Sequence, residues 1–402
     1  MRLVRRTRTN WVLRGLALTL GLGALFAGVV AFESWVPVGQ PPRGEDLTRI
    51  SHSSRHQAGR FTNFLPANEP EFWSTLVRWF AGAENTVPNA PLATATPGAA
   101  DFQEAPTSGL RLTWFGHSTV LVEIDGERLL LDPVWSERCS PLRFAGPKRF
   151  HPPPLAIEQL PKLSGVVISH DHYDHLDYGS VLALNALGVH FYVPLGVGSH
   201  LRYWGVDAQR VTELDWWQEA RIGKLTLTAT PARHFSGRSL LMSDRDQTLW
   251  AGWAMSGPDH RVFYSGDTAM FPEFEEIGER LGPFDATLIE VGAYNQLWAD
   301  VHLGPEQALT AHRMVRGKVL LPVHWGTFDL ALHTWTEPME RILAGAKAQG
   351  IQVVTPRPGQ SIEPLSAPLP ERWWPDLPYQ TAEESPVISS GLKRKVLGAE
   401  VP

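Results

Sequence analysis

The sequence contains a single cysteine, Cys139, among its 402 residues. One thiol cannot form an intramolecular disulfide, and it offers no cysteine-based zinc site. Charge is also scarce: 19% of the residues are Asp, Glu, Lys or Arg, and the formal net charge is −6. Residues 1–35 carry five Arg and one Glu, a charge of +4, which leaves −10 on the rest of the chain. A basic face of the kind that binds nucleic acid is therefore lacking, which argues against a nuclease.

Long apolar runs are confined to the N-terminus. There, the basic head MRLVRRTRTNWVLRG precedes an apolar run from Gly15 to Phe32. This pattern is typical of an uncleaved signal anchor or of a secretory signal peptide. Val29-Val30-Ala31 offers only a weak cleavage site, and the residues after Arg5-Arg6 match a twin-arginine signal poorly. We expect a membrane-anchored or exported protein that contacts the membrane through residues 11–32. By the positive-inside rule, the rest of the chain lies on the non-cytoplasmic side, which is the periplasm in a bacterium.

The remaining chain has the composition of a folded globular protein, with 43% hydrophobic residues overall. Its length suffices for one large or two ordinary domains. Residues 85–109 are rich in Ala, Pro, Thr and Gly, which predicts an exposed, poorly ordered connector. We therefore divide the chain into a signal anchor or signal peptide (1–35), an extension with a flexible linker (36–108), a main domain (109–365) and a tail (366–402).

Hydrophobic periodicity predicts many strands with helices between the later ones. A short amphipathic helix is predicted over residues 71–82, and a hairpin turning at Asp125-Gly126 follows. Strands are predicted at 111–116, 119–124, 128–134, 165–169, 190–193, 225–230, 239–242, 248–254, 261–265, 286–291, 319–323 and 351–355. Further helices are predicted at 177–187, 305–315 and 337–349. This order favours two sheets packed together with helices outside them.

The stretch SHDHYDHLD, residues 169–177, places four potential metal ligands close together. His170, His172, Asp174 and His175 offer imidazole and carboxylate groups, which zinc, iron and manganese accept. They follow an apolar, β-branched segment that predicts a buried strand delivering them from its C-terminal end. A His-rich surface turn would explain one pair of histidines, but not four ligands at this spacing. The stretch predicts a metal site that can face two ions, one through the first two histidines and one through Asp174 and His175.

Five further polar residues also follow predicted strands or lie in polar motifs beyond them. They are His117, His234, Asp267, His302 and His324. Taken singly, each has an ordinary explanation as a hydrogen-bonded histidine or, for Asp267, a turn residue. Together with residues 169–177, they predict one site that a sheet scaffold assembles from distant segments.

The motif H-x-H-x-D-H, then a lone His, then GDT and a final His after a strand resembles the metallo-β-lactamase superfamily over about residues 109–365. The segments LTWFGHSTVLVEIDGERLLLDPVWSERCSP, PARHFSGR, YSGDTAM, VHLGPEQAL and PVHWGTFDL, with FTNFLP ahead of them, resemble one subgroup in particular. It contains N-acylphosphatidylethanolamine-hydrolysing phospholipase D and its bacterial relatives. The resemblance implies an α/β fold, an αββα sandwich of two packed mixed β-sheets flanked by helices, with metals at the sheet edges. The N-terminal apolar segment departs from the mammalian enzymes of this group and leaves the compartment open.

The resemblance also implies two zinc ions per chain, although iron and manganese accept the same donors. Carried over position by position, the ligands are His170, His172 and His234 for the first ion, Asp174, His175 and His324 for the second, and Asp267 bridging both. The implied catalytic residues are Asp174, Asp267 and His302, with His302 contacting the phosphate or assisting the leaving group. His117 and Asp132 are expected behind the ligands, where such groups orient a ligating imidazole.

The implied reaction is a phospholipase D-type cleavage of N-acylphosphatidylethanolamine or a related glycerophospholipid. A metal-bridging hydroxide would attack phosphorus while both ions neutralise the developing charge. The same ligands would also serve a lactonase or another small-molecule hydrolase, so this alternative stays open. A binding protein on an inactive hydrolase fold is a third interpretation, against which the full ligand set argues. The expected partners are a phospholipid or other small phosphodiester and the membrane, with no nucleic acid; a homodimer is left open.

Overall fold

The computed structural model describes residues 3–68, 72–366 and 370–392. Two seven-stranded mixed sheets pack face to face, and helices cover their outer faces. One strand illustrates the layers: Leu129 and Leu131 lie in the core between the sheets together with Leu227, whereas Leu130 packs outward with the helical residue Val181. Because alternate residues of a strand point to opposite faces, a strand covered on both sides is apolar throughout. The predicted αββα sandwich is confirmed.

The strands are short and define the two sheets as follows. A small hairpin precedes the sandwich and consists of β1 (His56–Gln57) and β2 (Arg60–Phe61). The first sheet contains, in spatial order, β16 (Ser361–Ile362), β3 (Leu110–Gly116), β4 (Thr119–Ile124), β5 (Glu127–Leu131), β6 (Gly165–Val167), β7 (Phe191–Pro194) and β8 (Val211–Leu214). The second sheet contains β15 (Gln352–Val353), β14 (Gly317–Val323), β13 (Phe284–Glu290), β12 (Arg261–Tyr264), β11 (Gly252–Ser256), β10 (Leu225–Thr230) and β9 (Glu219–Ile222).

The helices of the described residues range from six to 32 residues in length. They are α1 (Leu3–Ser34), α2 (Glu45–Ile50), α3 (Phe72–Ala81), α4 (Tyr178–Ala186), α5 (Gly198–Tyr203), α6 (Phe274–Arg280), α7 (Pro305–Met314) and α8 (Glu337–Gln349). Residues of α4 and α5 pack on the outer face of the first sheet, and α7 contacts β13 and β14 of the second.

Both sheets have the same topology, although no repeat is recognisable in the sequence. From β16 to β5 the neighbours pair antiparallel, and from β5 to β8 they pair parallel. The second sheet does the same, antiparallel from β9 to β12 and parallel from β12 to β15. The direction of β3 therefore matches that of β5 and β6, and the direction of β10 matches that of β12, β13 and β14. The polar residues that follow these strands all meet at one edge of the sandwich.

Most predicted elements are present with shifted ends, and the four predicted helices after residue 70 correspond to α3, α4, α7 and α8. The predicted strand at 239–242 is wrong, because these residues form an exposed turn that the Asp244 carboxylate closes by accepting bonds from the backbone N–H groups of Arg238 and Ser239. The strand predicted at 248–254 begins only at Gly252. Sequence reasoning overlooked β8, β9, α2, α5 and α6, which are four to seven residues long and too short to display a period.

The N-terminal segments differ in how they relate to the sandwich. Within α1, Leu13–Ser34 is long and apolar enough to cross a membrane, with a mean hydropathy of 2.1 and no burial inside the protein. By contrast, Ile50 and Phe61 belong to the core between the sheets. The connector at 85–109 contacts the sandwich, because Phe102 is buried and Ala95 N donates to Pro358 O (2.8 Å). Residue 71 of the predicted helix and residues 393–402 of the tail lie outside the described residues.

Candidate metal centre

The donor-rich stretch forms a compact loop between β6 and α4. The carbonyl oxygen of His172 accepts bonds from the backbone N–H groups of His175 (3.1 Å) and Leu176 (2.8 Å). At the end of the loop, Asp177 caps α4 by accepting a bond from Ser180 N (3.1 Å). A loop tied at these points holds its side chains in fixed directions, which a preorganised site requires.

The first donor group consists of three imidazoles. His170 Nε2 lies 2.9 Å from His172 Nδ1, and His234 Nε2 lies 3.3 Å from the same atom. The pair His170 and His172 comes from the loop after β6, whereas His234 follows β10 in the other sheet. All three side chains are buried or half-buried.

The second donor group surrounds two carboxylates. Asp267 Oδ2 lies 3.1 Å from both His175 Nε2 and His324 Nε2. Asp174 Oδ2 lies 3.3 Å from His324 Nε2 and 3.5 Å from His175 Nε2. Asp267 also reaches the first group, since its Oδ2 lies 3.8 Å from His170 Nε2. Its carboxylate therefore stands between the two groups.

The donor chemistry of both groups fits metal ions. A neutral imidazole has one N–H and one lone pair, so three facing nitrogens cannot all be paired by hydrogen bonds. A tetrahedral ion about 2.0–2.1 Å from each nitrogen would separate them by about 3.3 Å, close to the spacing in the first group. Among the described residues, His175 Nε2, Asp267 Oδ1 and His324 Nδ1 are buried atoms without a hydrogen-bond partner. His175 Nε2 faces Asp174 and Asp267 in the second donor group, where a cation would satisfy it.

Asp132 contacts the second donor group through His175. Its Oδ2 accepts a bond from His175 Nδ1 at 2.6 Å, which leaves Nε2 of that ring facing the site. The Tyr264 hydroxyl also donates to Oδ2, and Oδ1 accepts a bond from the Ser169 backbone N–H (2.7 Å). Asp132 thus ties together the ends of β5, β6 and β12 and sets the ring orientation of His175.

His117 lies closer to the site than the sequence suggested. Its Nε2 is 3.0 Å from Asp174 Oδ2, and its ring centroid is 4.1 Å from that of His324. It therefore joins Asp174, His175 and His324 in one group of four donors. The sequence pattern placed it behind the ligands because only the fold reveals that the turn after β3 reaches the Asp174 carboxylate.

His302 stands at the mouth of the site beside a buried carboxylate that the sequence analysis missed. Its Nδ1 lies 2.7 Å from Glu290 Oε2. The other oxygen of Glu290 accepts bonds from the backbone N–H groups of Thr268 (2.5 Å) and Leu303 (3.3 Å). A carboxylate held in this way accepts the Nδ1 proton of His302 and leaves its Nε2 available for another partner. Glu290 ends β13, and its position at the end of an apolar strand was the signal that could have identified it.

The two donor groups differ in charge. Burial and the neighbouring imidazoles hold the pKa values of His170 and His234 well below the ordinary range, so both rings are neutral with a free lone pair. In the second group, burial raises the pKa of Asp267, but the charges of His175 and His324 outweigh it and hold the pKa well below its usual value. For His324, burial alone would lower the pKa, but the neighbouring carboxylates of Asp267 and Asp174 raise it to about 10. The positive charge of the His175 and His324 rings balances the negative charge of Asp174 and Asp267. A bound divalent cation would supply that positive charge in place of the ring protons.

A buried arginine and an asparagine hold the walls of the site, and the sequence analysis overlooked both. Asn63 brackets the backbone of His234, because its Nδ2 donates to His234 O (2.8 Å) and its Oδ1 accepts from His234 N (3.1 Å). Arg233 forms a buried ion pair with Asp300 and donates to the carbonyl oxygens of Leu65 and Pro66. The FTNFLP stretch, residues 61–66, therefore holds the segment that carries His234 in place.

A cavity of about 530 Å³ opens beside His234 and His302. His234 and His302 form its inner wall, and aromatic side chains make up much of the remainder. Its apolar and aromatic lining residues include Phe61, Trp79, Phe235, Trp250, Trp298 and Leu330. A volume of this size and character suits a ligand that has an apolar portion.

Comparison with known proteins agrees with this geometry. The beta-lactamase superfamily domain matches residues 127–325. Among solved structures, the isothiocyanate hydrolase from Delia radicum gut bacteria has the same fold, with a TM-score of 0.51, 20% identity, and coverage of 63% of this chain and 98% of that chain. The fold and the donor cluster define a metal-dependent hydrolase.

Two relatives narrow the family. An uncharacterized protein of Mycobacterium tuberculosis is 44% identical over 377 residues, which cover 90% of this chain and 99% of that protein. The N-acyl-phosphatidylethanolamine-hydrolyzing phospholipase D 1 of Caenorhabditis elegans is 40% identical over 248 residues, 58% of this chain and 69% of that protein. The chain belongs to the metallo-β-lactamase superfamily, in the group that includes the N-acylphosphatidylethanolamine-hydrolysing phospholipases D. The resemblance seen in the sequence is therefore confirmed.

Proposed function

We propose that the protein is a dinuclear phospholipase D-type phosphodiesterase that cleaves N-acylphosphatidylethanolamine or a related glycerophospholipid. One observation carries the proposal: two donor groups adjoin each other, and His234 of the first group lines a largely apolar cavity of about 530 Å³ together with His302. The likeness to the nematode phospholipase D supports the same substrate class. A phosphodiester bond at the donor groups would leave the acyl chains of a lipid in the apolar part of the cavity.

The seven predicted ligands are assigned to two ions by their distances. His170, His172 and His234 would hold the first ion, and Asp174, His175 and His324 the second. Asp267 would bridge them, because its Oδ2 is within 3.9 Å of a ring nitrogen of both groups. Zinc is favoured by an all-nitrogen-and-oxygen donor set with three imidazoles in one group, although iron and manganese accept the same donors. When bound, such a pair of cations supplies Lewis acidity and lowers the pKa of water enough for hydrolysis at neutral pH.

The protein's own residues have separate tasks. Asp132 holds the His175 ring in one orientation, and Glu290 does the same for His302. His302 presents Nε2 to the cavity side of the site, where we assign it to the phosphate or to the leaving group. A neutral Nε2 accepts a proton, whereas a protonated ring donates one to a departing alkoxide. Because Glu290 accepts the Nδ1 proton of His302, it fixes which ring nitrogen is left for the substrate.

The cavity walls would set the preference for lipids. Trp79 of α3 and Trp298 face the same cavity as His234, so an acyl chain that enters between them meets aromatic surface. Burying apolar area there contributes binding energy of about 25 cal/mol per Å². The donor groups themselves do not select a lipid over a lactone, since the chemistry that bound cations would supply serves either class.

We also propose that α1 attaches the protein to a membrane and that the catalytic part lies on the non-cytoplasmic side. The support is the length and hydropathy of Leu13–Ser34 and the cluster of Arg residues that precedes it in the sequence. A catalytic domain tethered in this way meets its lipid substrate in the membrane that holds it.

The test combines metal content with product analysis on the detergent-solubilised full chain. Elemental analysis should find two equivalents of zinc, and N-acylphosphatidylethanolamine should yield phosphatidic acid. Two equivalents of metal without that product would remove the phospholipase assignment, and hydrolysis of a lactone would then favour the alternative. A bis-aryl phosphodiester serves as the soluble reference substrate for the chemistry alone. A purified protein that binds no metal and hydrolyses none of the three would overturn the mechanism.

A further inference from the structure

The segment that follows α1 is fastened to the back of the metal-binding loop. Arg238, which is buried, donates to the carbonyl oxygens of Pro37 (2.8 Å) and Val38 (3.1 Å). The same guanidinium donates to the carbonyl oxygens of Asp171 (2.5 Å) and Leu176 (2.8 Å), which lie in the loop that carries the donors. One side chain thus joins the end of the apolar helix to the metal-binding loop, so the two cannot move independently.

A second loop runs alongside α1 itself. Arg143 forms two hydrogen bonds with the carboxylate of Glu33, at 2.7 and 2.8 Å. The neighbouring Phe144 contacts Phe26, with ring centroids 6.4 Å apart. Phe26 precedes the end of α1 at Ser34 by eight residues, a rise of about 12 Å. Phe144 therefore reaches the level of residues that belong to the candidate membrane span.

The turn at 239–243 adds further apolar surface near the same place. It begins directly after Arg238 and is closed by Asp244, which accepts bonds from the backbone N–H groups of Arg238 and Ser239. Yet its tip exposes three large apolar side chains: 51% of Leu240, 89% of Leu241 and 40% of Met242. A turn held this firmly keeps its apolar tip outward instead of folding it into the core, and that exposure is unfavourable in water.

We propose that Phe144 and the tip Leu240–Met242 form a bilayer contact surface that inserts into the membrane holding α1. The occupant is a lipid bilayer because the surface is continuous with the candidate span: Phe144 touches α1, and Arg238 links the turn to Pro37 and Val38. The inference rests on the proposed membrane attachment of α1. Its consequence is a fixed orientation: three points of contact hold the domain so that the metal-binding loop stays next to the membrane surface.

The lone native thiol makes a site-specific test practical. Cys139 is buried, and burial raises the pKa of its thiol well above the ordinary value, so it reacts slowly. Leu241→Cys can therefore be labelled with an environment-sensitive nitrobenzoxadiazole dye, and the unsubstituted chain reports any background. Two matched variants serve as references. One is Leu22→Cys within α1, and the other is Leu365→Cys, at an exposed leucine that follows the edge strand β16 of the first sheet.

The labelled full-length proteins are reconstituted into phosphatidylcholine–phosphatidylglycerol vesicles that contain lipids with a nitroxide on the acyl chain. We expect the nitroxide to quench the dye at positions 22 and 241 and to leave the dye at 365 unaffected. Quenching at 22 without quenching at 241 would overturn the contact surface and leave the membrane attachment standing. An absence of quenching at 22 would refute the attachment itself and the surface with it. A dye at 241 that is shielded only at high protein concentration would mean contact between copies of the chain, which also overturns the proposal.

An activity measurement tests the consequence. Leu241→Asp should lower turnover of a lipid substrate in vesicles by at least about tenfold, because it places a charge where an apolar side chain meets the bilayer. Turnover of the soluble bis-aryl phosphodiester should stay unchanged, as should both activities of Leu365→Asp. Equal losses on both substrates would show damage to the domain and would contradict the proposed role.

Discussion

Arg233 and Asp300 form a buried ion pair, with 3.0 Å between Nη1 and Oδ1. The pair joins the two walls of the cavity, because Arg233 directly precedes His234 and Asp300 lies two residues before His302. The pair also bonds to segments before and after the main domain. Asp300 accepts bonds from the backbone N–H groups of Asn68 (3.0 Å) and Ser390 (2.8 Å), and Arg233 donates to the carbonyl oxygens of residues 65 and 66. The N-terminal extension and the C-terminal tail thus meet at the base of the site.

The first prediction concerns this ion pair. Arg233→Lys should lower kcat on the soluble phosphodiester by about 10–100-fold, because a single ammonium group cannot replace the planar fork that positions the segment of His234. KM should change less than kcat, since Arg233 does not line the cavity as a substrate contact. Arg261→Lys is the matched control: its exposed guanidinium bonds only to the carbonyl oxygens of residues 281 and 282 among the described contacts. Wild-type kcat in Arg233→Lys would remove the positioning role.

The second prediction concerns the bridging carboxylate. Asp267→Asn should abolish hydrolysis and lower the metal content below two equivalents, while the fold, monitored by circular dichroism, stays largely intact. The amide keeps the size of the side chain but removes the negative charge that faces both donor groups. Asp285→Asn is the control, because Asp285 is also buried but pairs with Lys318 at the start of β13. Near-normal turnover of Asp267→Asn with two bound ions would refute the bridging assignment.

The third prediction ranks two histidines. His172→Ala should reduce turnover by more than about a thousandfold, since it deletes one of three converging nitrogens and the charge stabilisation of an ion. His117→Ala should cost about 10–100-fold, because its ring contacts the Asp174 carboxylate and its backbone carbonyl, which receives the His324 N–H (3.0 Å), is retained. His190→Ala, at a half-buried ring bonded to Thr212, should leave turnover unchanged. Equal losses for His117→Ala and His172→Ala would make His117 a ligand.

The fourth prediction concerns the cavity. Trp79→Ala should raise KM for a long-chain lipid about tenfold, because it removes apolar surface from the cavity wall. Hydrolysis of the soluble phosphodiester should stay within about twofold of wild type. Trp73→Ala provides the comparison on the same helix, since 74% of that side chain is exposed. An unchanged KM for the lipid in Trp79→Ala would place the acyl chain elsewhere.

The fifth prediction concerns stability at low pH. His312 is buried on α7, its Nδ1 lies 2.7 Å from Thr287 Oγ1, and burial lowers its pKa from 6.5 to about 4. The unfolded chain therefore binds this proton more readily than the folded one, so the free energy of unfolding falls as the pH drops from about 6.5 to 4. This one group contributes roughly 3 kcal/mol to that loss.

His312→Asn should remove the contribution, because an amide can bond to Thr287 without titrating. The measurement is the unfolding midpoint of wild type and variant between pH 7 and pH 4, at a fixed metal concentration. The stability difference between the two proteins should shift in favour of His312→Asn as the pH falls. A difference that does not change with pH would contradict the assigned pKa of His312.

Much of the site was accessible from the sequence because its signals are local. Four of the proposed ligands lie within residues 170–175, and the others each follow an apolar run that predicts a strand. Strands of matching direction bring their C-terminal ends to one edge of a sheet, so residues after such strands are expected to meet. The strands β3, β4 and β10 and the helix α8 were predicted for the same reason, since each is long enough to display a local hydrophobic pattern.

Other features depend on contacts between distant segments, which no local pattern encodes. His117 lies 57 residues from Asp174 in the chain, and only the pairing of β3 with its neighbours brings the two together. Glu290 and Asp300 look like ordinary acidic residues until the fold buries them beside His302 and Arg233. The apolar residues at 239–242 predict a strand, but the Asp244 carboxylate and the bond from Arg238 to Pro37 O hold them in a turn. The kinds of donor follow from short-range composition and spacing, and the fold class from the resemblance of short motifs to a known family. The partners of each side chain are decided by burial and by hydrogen bonds that form only in the folded chain.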